Sequence, residues 1–590
     1  MTRHLRRARG RRHAAALVVL ALTVLLAAGC VRVPESGPIR STGTVPGDVL
    51  AEGVPAIDPE PPTPGAGPGE IVRGFLDAMQ ASPVSTTVAK EYLTPDARAS
   101  WQPERSTIVY ADRSEPTGTS QIEVRLTDAD RYDAAGAWRG RLDPAAAVLR
   151  FRLAYVDGEF RIADPPNALV VVRSWFEPRF TPADLYFFDP AGRTFVPEPV
   201  VAPVGESRAS MLVRALLRGP APGLSGVEQT FIPAGLELAL SVPVDAQGLA
   251  RVALTGEVPP MSAEQTALMV AQLAWTMRQD PRVLAVQVVL NGTLLRMAGG
   301  ADRVEVGTGS SFDAGSADAS GVLYGLLDGR LVAGPADSLD LLDGPLSRPG
   351  RGLRSVAVAL DGASAAAVTG DGTRLLTGPT RSGTLTPVTD RASGADLLPP
   401  AWTVGGRLWD VDRAGGRAVV LTGRGGSAAP LKEVTVPGVS GADVRRMLVS
   451  RDGSRIVAIV GTGDRSRLVV ARVAASADDR ILRVLPARTL PTDDQPGRIL
   501  DVAWYSDNAL AVLRRIGDGL TRVDTIGVDG SPTGAQGLST TVTGGRSLVG
   551  SPDPSQALYA LTADELVDLS RAGRGTRLPR GGVAAFTYVG

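Results

Sequence analysis

Hydrophobic and polar positions fall into successive textures along this 590-residue chain. Arg3, Arg6, Arg7, Arg9, Arg11 and Arg12 precede residues 14–28, an almost wholly apolar run without charge. At about 15 residues the run is short for a membrane span, which needs about 20, and it fits the core of a secretory signal. Residues 30–68 carry prolines at 34, 38, 46, 55, 59, 61, 62, 64 and 68 and no apolar periodicity, which predicts an extended tether. Near Glu70 a helical spacing sets in, with Ile71, Phe75, Ala78 and Met79 on one face. A second short helix is expected over residues 86–93, stopping before Thr94-Pro95. After Ser106 the period falls to two. Leu149, Phe151, Leu153 and Tyr155 alternate with Arg150, Arg152 and Ala154, and Asp157-Gly158 turns the chain into Phe160 and Ile162, a hairpin pattern.

From residue 183 to about 296 strands and helices mix. Leu185-Tyr186-Phe187-Phe188 reads as a strand before the turn Asp189-Pro190-Ala191-Gly192. Ser207 is placed to cap a helix bearing Leu212, Ala215 and Leu216, which Gly219-Pro220 ends. Ser262-Ala263-Glu264-Gln265 has the form of a capping box, followed by Ala267, Val270, Leu273, Ala274 and Met277 at helical spacing. Asp280-Pro281 ends that helix, and residues 283–290 supply a buried strand. Asn291-Gly292-Thr293 has the form of a glycosylation sequon but reads here as a turn.

From about residue 320 the chain is all-β and repetitive. Segments beginning near Leu353, Ala401, Val444, Ile499 and Gly545 each lead an apolar strand into a polar turn and out along a second strand. A spacing of roughly 45 to 55 residues suits four-stranded propeller blades, five or six in number. Val322-Leu323-Tyr324 and residues 583–589 are positioned to share a closing blade, which removes exposed strand edges. The Asp-Gly pairs in these repeats read as type I′ turns rather than calcium ligands.

Composition narrows the chemistry. Both histidines, His4 and His13, lie in the signal, and Cys30 is the only cysteine. The remainder therefore has no Ser-His-Asp or Cys-His catalysis, no zinc site built on His or Cys and no thiol redox pair. Carboxylate chemistry and oxygen-ligand calcium sites stay open. Asp361, Asp410, Asp412 and Asp507 are the carboxylates an enzyme at the propeller channel would draw on, although their turn positions favour structural roles. Arg445, Arg446, Arg514 and Arg515 form pairs that are solvated or contribute to a binding rim. Beyond residue 29 there are 56 basic against 62 acidic residues, so the body is not drawn electrostatically to nucleic acid or anionic lipid. No cofactor or metal ligand set stands out.

Leu26-Ala27-Ala28-Gly29-Cys30 resembles the lipobox of bacterial lipoproteins. That resemblance implies cleavage after Gly29 and a Cys30 carrying S-diacylglycerol and an N-acyl chain. The two helices and sheet ending in Asp157-Gly158-Glu159-Phe160-Arg161-Ile162 resemble an NTF2-like cone. Ala215-Leu216-Leu217-Arg218-Gly219-Pro220, Phe231-Ile232-Pro233-Ala234-Gly235, Gln272-Leu273-Ala274-Trp275-Thr276 and Val286-Gln287-Val288-Val289-Leu290-Asn291-Gly292 resemble a GerMN domain, with Trp275 expected in its core. The expected organisation is a signal peptide (1–29), tether (30–68), NTF2-like α+β domain (69–180), α/β GerMN domain (181–300) and all-β propeller (320–590). Together with Arg32-Val33-Pro34-Glu35-Ser36-Gly37-Pro38 after the cysteine, this order resembles the lipoprotein LpqB family of actinobacteria. The resemblance implies a non-enzymatic protein lipid-anchored to the outer face of the cell membrane. Its implied partner is the extracellular domain of a sensor histidine kinase, MtrB of the MtrAB two-component system, with effects on cell-wall homeostasis and division. Binding of a small hydrophobic or cell-wall ligand, and a carboxylate-dependent envelope hydrolase, are the alternatives.

Overall fold

The computed structural model describes residues 57–590 apart from 120, 316–318, 391–393, 417, 425–430, 493–496, 535–536, 571–573 and 578–582. The signal segment, Gly29, Cys30 and the tether up to residue 56 lie outside the described residues. From Ile57 the chain already touches the first domain: Ile57 bridges to Ser82, and the Tyr92 hydroxyl donates to the Glu60 carbonyl at 2.9 Å.

Helix Pro68–Ala78 starts where Pro68 fixes φ and the Glu70 carboxylate accepts from the Gly67 N–H at 2.9 Å. It buries Ile71, Val72, Phe75, Leu76 and Ala78. The second expected helix contracts to the single 3-10 turn Ala89–Tyr92. Thr94-Pro95, expected as a stop, is instead a start. The Thr94 hydroxyl accepts from the Ala97 N–H at 3.2 Å and Pro95 opens helix Pro95–Ser100, because proline's missing N–H is harmless in a first turn. The strands divide into two four-stranded sheets, one of which pairs Ser106–Tyr110 in parallel with Leu169–Val172. Hairpin Val148–Val156/Glu159–Ile162 forms as expected, with Asp157 at φ 52° and Gly158 at φ 85°.

The second domain opens with the nine-residue antiparallel pair Phe180–Phe188 and Phe195–Pro203. Helix Ala263–Met277 crosses between the parallel strands Leu249–Thr255 and Ala285–Leu290. Its capping box is complete: the Ser262 hydroxyl accepts from the Gln265 N–H at 3.1 Å, and the Gln265 side chain accepts from the Ser262 N–H at 3.0 Å. Ser207 stands at the head of helix Arg208–Leu217 without capping it, because its backbone is already helical and turns the hydroxyl away from the free N–H groups. Trp275 lies in the core, stacked on Phe195 at 6.1 Å. Asn291 and Gly292, at φ 49° and 79°, make the expected turn.

The third domain is a propeller of six blades. Five start with inner strands Leu353–Val358, Ala401–Thr403, Val444–Val449, Arg498–Ser506 and Ser547–Val549. The remaining blade is ordered Val583–Thr587, Tyr324–Leu327, Arg330–Ala333, Asp340–Leu341, so a downstream strand supplies its innermost position. At Asp361-Gly362 and Asp452-Gly453 only the glycine has positive φ, 70° and 77°. These are therefore type I turns followed by a left-handed glycine, not the type I′ turns expected. Among the described residues no helix is long and apolar enough to cross a membrane.

Candidate functional site

Strand Phe195–Pro203 is held against the propeller blade that begins with strand Val444–Val449 by a buried charge cluster. Arg455 and Arg472 are cross-strand partners in that blade. Both donate to Glu198 Oε1, at 2.7 and 2.6 Å, and Arg472 also reaches Glu228 Oε2 at 3.4 Å. Arg455 is 1% exposed and donates in addition to the Pro197 carbonyl. Burial acts upward on Glu198, but the guanidiniums of Arg472 and Arg455 outweigh it and hold the carboxyl below the usual carboxylate range. Burial, followed by the Glu198 charge, pushes Glu228 well above the usual carboxylate range. Two further contacts close the seam: Asn508 Nδ2 donates to Asp184 Oδ1 at 2.6 Å, and the Ala475 N–H to the Gly226 carbonyl at 2.8 Å. Asp507, half-buried beside this seam, has its carboxyl raised to about 7, first by burial and then by Asp313, Asp184 and Asp452.

All three domains meet around a cleft of about 610 Å³. The first domain contributes Tyr132 and Trp138, the second Asp184 and Gln279, and the propeller Trp504, Tyr505, Asn508 and Asp529. Trp138 is oriented by its indole N–H, which donates to Asp130 at 3.1 Å, and Arg173 holds the same carboxylate at 3.0 Å. Tyr132 stacks on Phe176 with centroids 5.4 Å apart. The first and second domains meet at Gly136, whose carbonyl accepts from the Val201 N–H at 2.9 Å. A Cβ there would lie 2.2 Å from the Val201 carbonyl oxygen, and φ is +79°. Clefts of this size at domain junctions are where ligands bind. The interior of the first domain, by contrast, is filled by Phe75, Trp101 and Phe151.

The propeller axis holds a second cavity of about 310 Å³, bounded by the inner strands. The carboxylates singled out in the sequence do not line it. Asp361 accepts from the Ala363 N–H within its own turn. Asp410, fully buried on strand Arg407–Asp412, accepts from the Val411 N–H at 2.7 Å and is raised well above the usual range by burial. Asp412 accepts from the Asp396 and Ala414 N–H groups. Asp501 is the one side-chain carboxylate of the described lining. Of the arginine pairs, Arg446 lines the axial cavity and Arg445 donates to the Ile499 carbonyl at its edge. Arg514 is buried and Arg515 exposed. The sequence signal for the seam was a charge at the head of an apolar run, as with Arg455 before Ile456-Val457-Ala458-Ile459-Val460, but nothing local named its partner.

Known proteins resemble this chain along most of its length. Family models described as the lipoprotein LpqB N-terminal domain and the lipoprotein LpqB beta-propeller domain match residues 61–177 and 329–578. One described as sporulation and spore germination matches residues 184–296. Lipoprotein LpqB of Streptomyces avermitilis is 29% identical, with 98% of each chain covered. Lipoprotein LpqB of Streptomyces coelicolor is also 29% identical, covering 95% of this chain and 96% of that one. The solved first GerMN domain of the sporulation protein GerM from Bacillus subtilis is 22% identical over 21% of this chain and 97% of its own, with a TM-score of 0.18.

Proposed function

The chain belongs to the lipoprotein LpqB family, and on that premise we propose that it is anchored by lipid at Cys30 to the outer face of the cell membrane, where it binds and modulates the extracellular domain of a sensor histidine kinase. The kinase is MtrB of the MtrAB system, and the effect falls on cell-wall homeostasis and division. The observation that carries this reading is the welding of the three domains through the Glu198–Arg455–Arg472 cluster and the Gly136 contact. A body with fixed internal geometry presents the propeller as a preformed surface, so docking does not have to order the domains against one another. Acyl chains anchor stably when two or more act together. A tether of Pro-rich composition then confines the body near the membrane, where a weak interface is occupied through high effective concentration.

The reading is of a binding protein, not an enzyme. It is supported by Asp361 and Asp412 being engaged by backbone N–H groups and by Asp410 being enclosed within its blade. The three-domain cleft, with Trp138 and Trp504 in its wall, supports binding of a small cell-wall or hydrophobic ligand as the second reading. Co-purification from membranes tests the first. Wild type is expected to capture the kinase's extracellular domain, and the soluble Cys30→Ala protein to capture it only weakly. Failure of both at high protein concentration overturns the kinase reading and leaves the cleft ligand in its place.

A further inference from the structure

The axial cavity of the propeller is a cup whose lining carries more guanidinium than carboxylate side chains. Strand Val444–Val449 runs from the mouth, where Arg446 stands, toward the turn Ser450-Arg451-Asp452-Gly453 on the side of the second domain. Arg451 closes that end. It is 4% exposed, and its guanidinium donates to the Ser551 hydroxyl at 3.2 Å and the Val589 carbonyl at 3.1 Å, leaving Nε without a partner. Arg354 and Arg446 stand at the open end, about a third and a quarter exposed. Against these three guanidiniums the described lining sets one side-chain carboxylate, Asp501, which pairs with Arg446 at 3.5 Å and accepts from the Leu548 N–H at 2.8 Å. Ser355 also lines the cup. It is 5% exposed and its hydroxyl has no hydrogen-bond partner.

The surroundings of the mouth reinforce the excess. Arg354 and Arg413 share Asp396, at 2.7 and 2.5 Å. Arg445 lies behind them, its guanidinium pushed below its ordinary range by burial and then by the nearby Arg498 charge, with Asp443 and Asp501 opposing. A buried hydroxyl and a buried guanidinium nitrogen left unpaired beside a cationic cavity are the groups an oxyanion satisfies. A cavity of about 310 Å³ is at the small end of ligand sites, which suits a small molecule and not a chain segment.

We propose that the propeller channel binds a small multivalent oxyanion, of the phosphate or polycarboxylate class, entering from the mouth opposite the second domain and held by Arg354, Arg446, Arg451 and Ser355. The site is independent of the kinase reading. Calorimetric titration of the full-length lipoprotein with inorganic phosphate and, separately, with citrate tests it, at constant ionic strength set by sodium chloride. Saturable one-site binding of at least one of the two is expected, and the preferred probe distinguishes phosphate from polycarboxylate. Arg354→Ala and Arg446→Ala should each weaken binding by about tenfold or more. Ser355→Ala, which removes an unpartnered hydroxyl and leaves the fold intact, should weaken it measurably, whereas the exposed Arg515→Ala should not. Absence of saturable binding to either probe overturns the proposal, as does binding that Ser355→Ala and both channel-arginine variants leave unchanged.

Discussion

Asp410 illustrates how a single carboxyl responds to enclosure. Its side chain has no exposure, one oxygen accepts from the Val411 N–H, and the other has no partner. Burial disfavours the charged form and raises the folded-state pKa well above the ordinary value. The folded protein therefore binds more protons than the unfolded chain above about pH 4, so this group's contribution to stability declines as pH rises from there toward the folded-state pKa. Asp410→Asn should raise the melting temperature at pH 7, by about 2–4 °C for each kcal/mol regained, and the advantage should shrink toward pH 4. Equal differences at both pH values would rule this out. The sequence presented Asp410 as a residue of interest but not as an enclosed one. Enclosure depends on which blade lies against strand Arg407–Asp412, and no local pattern carries that information.

At the scale of elements, what was legible was what a few neighbouring residues decide. Asp157-Gly158 and the Ser262–Gln265 box each satisfy their backbone groups within a few positions, so their sequence signatures suffice. Thr94-Pro95 departs from its expected role because proline both stops one helix and starts another, and only the Thr94 cap at the Ala97 N–H distinguishes the two. Gly136 left no signal at all. Its turn is ordinary, and its requirement for hydrogen comes from Val201 of the next domain. Gly136→Ala should cost more than about 1 kcal/mol, since a Cβ in the left-handed region is strained before any clash is counted. The clash should also loosen the first domain against the second. Limited proteolysis should then cut between them, around residues 173–180, faster than in wild type. An unchanged digestion pattern and melting temperature would refute the role given to this contact.

For the whole molecule, the decisive interaction joins residues 257 positions apart, Glu198 and Arg455, which is why the order of domains could be read from sequence and their fixed arrangement could not. Removing one member of a buried ion pair strands the others without compensation, typically at a cost of about 3–5 kcal/mol. Glu198→Ala should therefore leave the fold of each domain in place while uncoupling the second domain from the propeller. Scanning calorimetry is expected to show the unfolding transition splitting in two, whereas a single transition at the wild-type temperature would show that the cluster does not hold the domains. The closing blade has a consequence of another kind. Tyr324 pairs with Thr587, so the first blade to leave the ribosome must wait for a strand made long afterwards. During synthesis an unpaired edge stays open on Tyr324–Leu327, and a chain interrupted before Val583–Thr587 cannot complete the ring. The joint thus ties closure of the ring to delivery of all the strands between.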